Sequence, residues 1–92
     1  MPSVADTLHR KLTEALQPVR LSIFDESHRH AGHAGARPDG ESHFRVEIVS
    51  HAFAGRSRIE RQRLVHAALA EELAGRVHAL ALATLTPDEA SL

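Results

Sequence analysis

Val77-His78-Ala79-Leu80-Ala81-Leu82-Ala83-Thr84 decides the fold, because it places a third extended segment after a helix rather than after a turn. One parity holds His78, Leu80 and Leu82; the other is Val and Ala, small enough for a helix or a second sheet face to approach closely. Upstream, Ser57-Arg58-Ile59-Glu60 fits a capping box, in which Ser caps a backbone N–H and Glu reaches back to the cap residue. The helix it opens carries Ile59, Leu64, Val65, Ala68, Leu69, Glu72 and Leu73 on a broad apolar stripe, with Gly75 placed to close it in the left-handed conformation. A strand that returns through a helical crossover lies parallel to a strand already in the sheet.

Two such strands precede it. Val19, Leu21 and Ile23 alternate with Arg20, Ser22 and Phe24, and Phe44, Val46 and Ile48 alternate with Arg45, Glu47 and Val49. Asp25-Glu26-Ser27 ends the first, and the loop then runs through Gly32, Gly35, Pro38 and Gly40. That density of breakers forbids regular structure, and the loop is too long for a tight hairpin turn. An antiparallel pair is the simplest outcome. At the front, Val4, Leu8, Leu12, Ala15 and Leu16 repeat at helical spacing, with Ser3 or Asp6 as cap, and Gln17-Pro18 ends the helix. Residues 50–55 read as a short helical turn anchored by Phe53, and Thr86-Pro87-Asp88-Glu89 can begin a short terminal helix. The order is αββααβ: an α+β domain with a three-stranded mixed sheet and helices packed on one face, one domain over residues 1–92.

Composition narrows the function. Apolar residues make up 42% and charged residues 25%, ordinary for a globular chain of 92 residues, while three Phe and no Tyr or Trp leave the core to aliphatic side chains. A formal charge of −1 argues against coating nucleic acid or membrane by bulk electrostatics, although eight His would turn the chain positive in mild acid. The absence of cysteine removes any disulfide framework and any thiolate nucleophile. No apolar run reaches the roughly 20 residues of a membrane span, and Met1-Pro2-Ser3 opens no signal peptide, so a cytoplasmic protein without membrane contact is expected.

Histidine carries the chemistry. Ser27-His28-Arg29-His30-Ala31-Gly32-His33-Ala34-Gly35 places three imidazoles within six residues on the long loop, and His43 follows just after it. Neutral imidazole is the commonest protein metal ligand, and the Gly and Ala around it let ring nitrogens converge; a solvated polar loop is the plain alternative. His78, in line with Leu80 and Leu82, could equally be a partly buried, hydrogen-bonded residue. A second cluster, Arg56, Arg58, Arg61 and Arg63, sits at the front of the long helix, where cations oppose the helix dipole. These could contact phosphates, or form a solvated face with Glu60 as counterion. Pairing His with Asp25, Glu26 or Ser27 for acid/base work fails, because adjacent residues on a flexible loop cannot hold the geometry; the chain is not expected to be an enzyme.

Four blocks in order bear a family resemblance: Asp25-Glu26-Ser27-His28-Arg29-His30, Gly40-Glu41-Ser42-His43-Phe44-Arg45-Val46, Arg63 through Leu73, and Val77-His78-Ala79-Leu80-Ala81-Leu82. Together they resemble the BolA family over nearly the entire chain. That resemblance implies a fold like a type II KH domain, in agreement with the element order. It also implies a non-enzymatic partner of monothiol glutaredoxins that shares a bridging [2Fe–2S] cluster with glutathione, has no cofactor in the isolated chain, and is a monomer or weak homodimer when apo. Some members are described as DNA-binding transcriptional regulators, which makes DNA, met by the face from Arg56 to Arg63, the alternative partner. The family's cluster ligands correspond to His78 and to a loop residue that His30 matches best, with His28 and His33 as neighbouring candidates. Independently of the family, a chain without Cys could supply two nitrogens to such a cluster while a partner supplies two sulfurs; a mononuclear zinc site from the same His competes. The KH turn that holds RNA, Gly-x-x-Gly, reads Ala54-Gly55-Arg56-Ser57 here, so RNA binding of that kind is not expected. Gln62 stands where the family would have His, away from the cluster ligands.

Overall fold

A computed structural model describes residues 3–27 and 40–92. Helix α1 (Val4–Leu16) starts at Ser3, whose hydroxyl accepts the Asp6 N–H at 3.0 Å while the Asp6 carboxylate accepts the Ser3 N–H at 3.3 Å. Ser3 and Asp6 are therefore two halves of one capping box, not alternatives. Leu8, Leu12 and Leu16 are buried one per turn. Ala15, expected on the same stripe, is exposed, because the stripe is only as wide as that i, i+4 row. Gln17 stops the helix in the left-handed conformation at φ 45°.

The sheet has the order β1-β2-β3, with β1 (Arg20–Asp25), β2 (His43–Val49) and β3 (Ala79–Leu85). β1 runs antiparallel to β2, and β3 runs parallel to it, so Val46 lies between Ile23 and Leu82. The crossover thus produces the expected mixed sheet. Phe44, Val46 and Ile48 form its buried face and pack with Leu8, Leu12, Leu16, Phe53, Val65, Leu69 and Val77 in one core. Phe53, on a 3₁₀ turn (His51–Phe53), is fully buried and anchors the turn as expected.

Several details depart from the expectations. The long helix is two: α2 (Arg58–Ala68) opens on the Ser57–Glu60 capping box, and α3 (Ala70–Ala74) follows a break at Leu69 (φ −110°, ψ 21°). Leu69 is fully buried there, and Glu72, expected on the apolar stripe, instead meets the Lys11 ammonium at 2.8 Å and ties α3 to α1. Donating this hydrogen bond to the Glu72 carboxylate raises the Lys11 pKa. Gly75 is not left-handed (φ −123°, ψ −99°); the helix ends by bonding the Gly75 and Val77 N–H groups to the Glu72 carbonyl.

The third strand starts two residues late. The N–H groups of His78 and Ala79 both donate to the Ser42 carbonyl, at 2.7 and 3.1 Å, which breaks the alternation and leaves Val77 buried and His78 exposed. Ala79, Ala81 and Ala83 are exposed, so no described element makes the close approach their size allowed. Residues 86–92 form a turn rather than a helix: Ala90 N–H bonds to Thr86 O at 3.0 Å, then Ser91 turns left-handed (φ 60°) and Leu92 folds back onto Pro87 O. Among the described residues no helix is long and apolar enough to cross a membrane.

Candidate functional site

Both ends of the histidine-bearing loop meet at the edge where β2 and β3 begin. Asp25, the last residue of β1, accepts the Ser27 hydroxyl at 2.6 Å and the Ser27 N–H at 2.9 Å on one oxygen, and the Glu41 N–H at 3.0 Å on the other. The Ser27 hydroxyl in turn accepts the N–H groups of Ser42 at 2.9 Å and His43 at 3.1 Å. Glu41 accepts the Ala5 N–H at 3.3 Å, linking the clamp to the start of α1. Gly40 and Glu41 both have positive φ, and a Cβ on Gly40 would lie 3.4 Å from the Asp25 carboxylate, so the chain re-enters by a turn that suits Gly. Ser27 and Ser42 are buried, and their polar atoms are satisfied within this network.

His43 and His78 stand above the clamp. His43 is 7% exposed, and its Nδ1 lies 2.9 Å from the Ser42 hydroxyl. The His78 ring is exposed, and its centroid is 5.4 Å from that of His43, with the planes inclined by 46°. A cavity of about 260 Å³ beside His43 is lined by Glu26, His43, Phe44, Ala79, Leu80 and Ala81. Glu26 meets Arg45 at 3.2 Å, which raises the arginine's pKa, and the Arg45 guanidinium covers the Phe24 ring at 4.1 Å.

Of the three expected ligands, His78 is placed at the mouth of the loop; His30 and His33, like His28, lie outside the described residues. No group of three or more His, Cys, Asp or Glu among the described residues is placed to hold a metal ion. His43 was expected beside the histidine loop but not among the ligands. Its signal was there: Glu-Ser-His occurs at 26–28 and again at 41–43, and both serines turn out to belong to the clamp.

The four arginines do not form one free face. Arg61 has a side chain only 12% exposed, and its guanidinium meets Glu89 at 2.5 and 3.2 Å, the Thr84 carbonyl at 3.1 Å and the Arg56 carbonyl at 2.9 Å. Arg61, followed by the Thr86 N–H, holds the Glu89 carboxyl down at about 2. Arg56 bonds the Ala52 carbonyl at 3.1 Å, whereas Arg58 and Arg63 are exposed. Arg56, Arg58 and Arg61 border a cavity of about 400 Å³ along β3.

A family model described as BolA-like protein matches residues 12–89. An uncharacterised Sinorhizobium protein from the cobS 5′ region is 48% identical over 88 residues, covering 95% of each chain. Human BolA-like protein 1 is 52% identical over 84 residues, which is 91% of this chain and 58% of the human one. Among solved structures, the BolA domain of SufE1 from Arabidopsis thaliana superposes with a TM-score of 0.86 at 42% identity, covering 97% of this chain and 98% of that one.

Proposed function

This chain belongs to the BolA-like family, and from that premise we propose that it serves as a non-enzymatic partner of a monothiol glutaredoxin, supplying imidazole nitrogens to a shared [2Fe–2S] cluster. One observation carries the proposal: the exposed His78 ring stands where both ends of the histidine-bearing loop are pinned, with Ser42 bonded to Ser27 on one side and to the His78 backbone on the other. His78 is the fixed ligand, positioned by the sheet. A loop imidazole, His30 or His33, is the second.

The donor set fits such a shared group. The chain has eight His and no Cys, so it can fill half of the coordination and must take thiolate sulfur from its partner and from glutathione. When bound, such a cluster with two imidazoles on one iron has a higher reduction potential than an all-thiolate one. His78, being exposed, can reach a ligand held by another molecule. The clamp of Asp25, Ser27 and Ser42 keeps the base of the loop beside it. Cytoplasmic location and a role in iron–sulfur trafficking or iron sensing complete the proposal.

The test is direct. The protein, a monothiol glutaredoxin, glutathione, iron and sulfide are combined under anaerobic conditions, and the visible absorption is compared with that of glutaredoxin alone. A new spectrum that co-elutes with a one-to-one complex supports the proposal; a spectrum identical to that of glutaredoxin alone refutes it. DNA binding is the runner-up, and the engagement of Arg61 with Glu89 leaves Arg56, Arg58 and Arg63 to carry it.

A further inference from the structure

We propose that the pair of Arg61 and Glu89 is a self-filled oxyanion site, from which a phosphate monoester displaces the Glu89 carboxylate, with Arg56 and Arg58 completing its coordination. The site shares no residue with the cluster ligands and does not rest on the cluster reading.

Its donors are fixed before any ligand arrives. Arg61 Nε donates to the Arg56 carbonyl at 2.9 Å, and Nη1 donates to the Thr84 carbonyl at 3.1 Å. The guanidinium lies 6.0 Å from the centroid of the Phe53 ring, which belongs to the core. Two backbone carbonyls and a mostly buried side chain therefore hold the fork in one orientation. Nη1 and Nη2 meet the two oxygens of Glu89 at 2.5 and 3.2 Å, and the Thr86 N–H donates to the same carboxylate at 2.8 Å. A fixed guanidinium fork serves carboxylate and phosphate alike.

The present occupant is the replaceable part. Glu89 is about half exposed, and no residue from Thr86 to Leu92 is buried, so the turn can release the carboxylate without opening the core. The cavity of about 400 Å³ along β3 is lined by three cations, Arg56, Arg58 and Arg61, and by one anion, Glu89. Arg56 engages the Ala52 carbonyl only through Nε, and Arg58 is exposed, so both can turn terminal nitrogens toward a ligand. A phosphate monoester carries roughly −1.5 to −2 charge at neutral pH and three oxygens. It can keep the Arg61 contacts and add Arg56 and Arg58, whereas a single carboxylate matches one fork. A second cavity of about 370 Å³, whose wall also includes Arg61 and Glu89, gives the ester's organic group room.

A tethered carboxylate competes at an effective concentration of about millimolar or more, so the wild-type chain binds weakly and loss of the Glu89 charge uncovers the site. Inorganic phosphate, the smallest dianion of this class, is titrated at about pH 8 and constant ionic strength into the ¹⁵N-labelled full chain. Glu89→Gln should bind it at least about tenfold more tightly than wild type, with the Thr86 amide and the Arg61 Nε resonances moving together. In that background Arg61→Lys, which keeps the charge and loses the fork, should weaken binding by about tenfold. Dimethyl phosphate, a monoanionic diester, should bind Glu89→Gln at least about tenfold more weakly than phosphate does. Equal affinity of wild type and Glu89→Gln, or undiminished binding with Arg61→Lys, overturns the site. Equal binding of dimethyl phosphate overturns the monoester class and turns the groove over to phosphodiesters. If the variant with Arg61→Lys does not fold, the Arg61 Nε resonance of Glu89→Gln decides: a saturable shift supports the site, and no shift refutes it.

Discussion

The hydroxyl of Ser27 accepts the backbone N–H of Ser42 at 2.9 Å across fifteen positions of sequence, and that bond closes the loop at its base. Ser27 is 3% exposed and Ser42 is fully buried, so water cannot replace the oxygen if it is removed. Ser27→Ala would orphan the N–H groups of both Ser42 and His43. Each buried unsatisfied group costs about 1–3 kcal/mol, so a loss of at least about 2 kcal/mol is expected in chemical denaturation. A loss below about 0.5 kcal/mol would mean that the clamp does not hold the loop.

The latch between Arg61 and Glu89 gives a pH signature. The Glu89 carboxyl is held at about 2, below its ordinary 4.5, so the folded state favours its charged form. Its contribution is therefore complete above about pH 4.5 and lost as pH falls toward 2. Glu89→Gln removes that dependence. The melting temperature of wild type should fall more steeply than that of Glu89→Gln between those limits, and parallel curves would show that the latch does not persist in solution.

Leu69 tests the helix break. It is fully buried between α2 and α3, and truncation to Ala removes core volume at the residue where α2 gives way to α3. The expected cost is about 2–5 kcal/mol by denaturant unfolding. A cost under about 1 kcal/mol would indicate that the site can collapse and that Leu69 does not anchor the break.

Much of this fold was legible in the residues. The alternation of Phe44, Val46 and Ile48, the capping box at Ser57 and Glu60, and the helix between β2 and β3 together require a mixed sheet, and the chain forms it. The break at Leu69 was not legible, because no Gly or Pro marks it, and the Glu72–Lys11 ion pair that follows it joins residues far apart in sequence on different helices. His78 misled for a similar reason. Its parity with Leu80 pointed inward, but two N–H groups sharing the Ser42 carbonyl rotate it out to the surface. The arginine cluster looked uniform because sequence shows charge without partners; only the turn after β3 brings Glu89 onto Arg61. His43 was left out of the candidate ligands because a histidine at a strand start carries no pattern until the neighbouring strand supplies a second one.

Nucleic acid gives a separate prediction. If duplex DNA is bound, Arg58→Ala and Arg63→Ala should each reduce the salt slope of the affinity by about one, since both side chains are exposed. A salt slope unchanged by both substitutions removes the helix face from any DNA contact. Arg61→Ala is unsuited to this test, because it also breaks the latch to Glu89.

Visible circular dichroism of the cluster-bound heterocomplex with a monothiol glutaredoxin, compared between wild type and His78→Ala, bears most directly on the proposed role. His78 is fixed by the sheet through the Ser42 carbonyl, so its loss removes a ligand whose place is set by the backbone. The expected result is a changed spectrum and a cluster lifetime shortened by about tenfold or more. His30→Ala should have the milder effect, with His33 or His28 near enough in sequence to substitute. An unaltered spectrum and lifetime in His78→Ala would contradict the assignment of His78 as a cluster ligand.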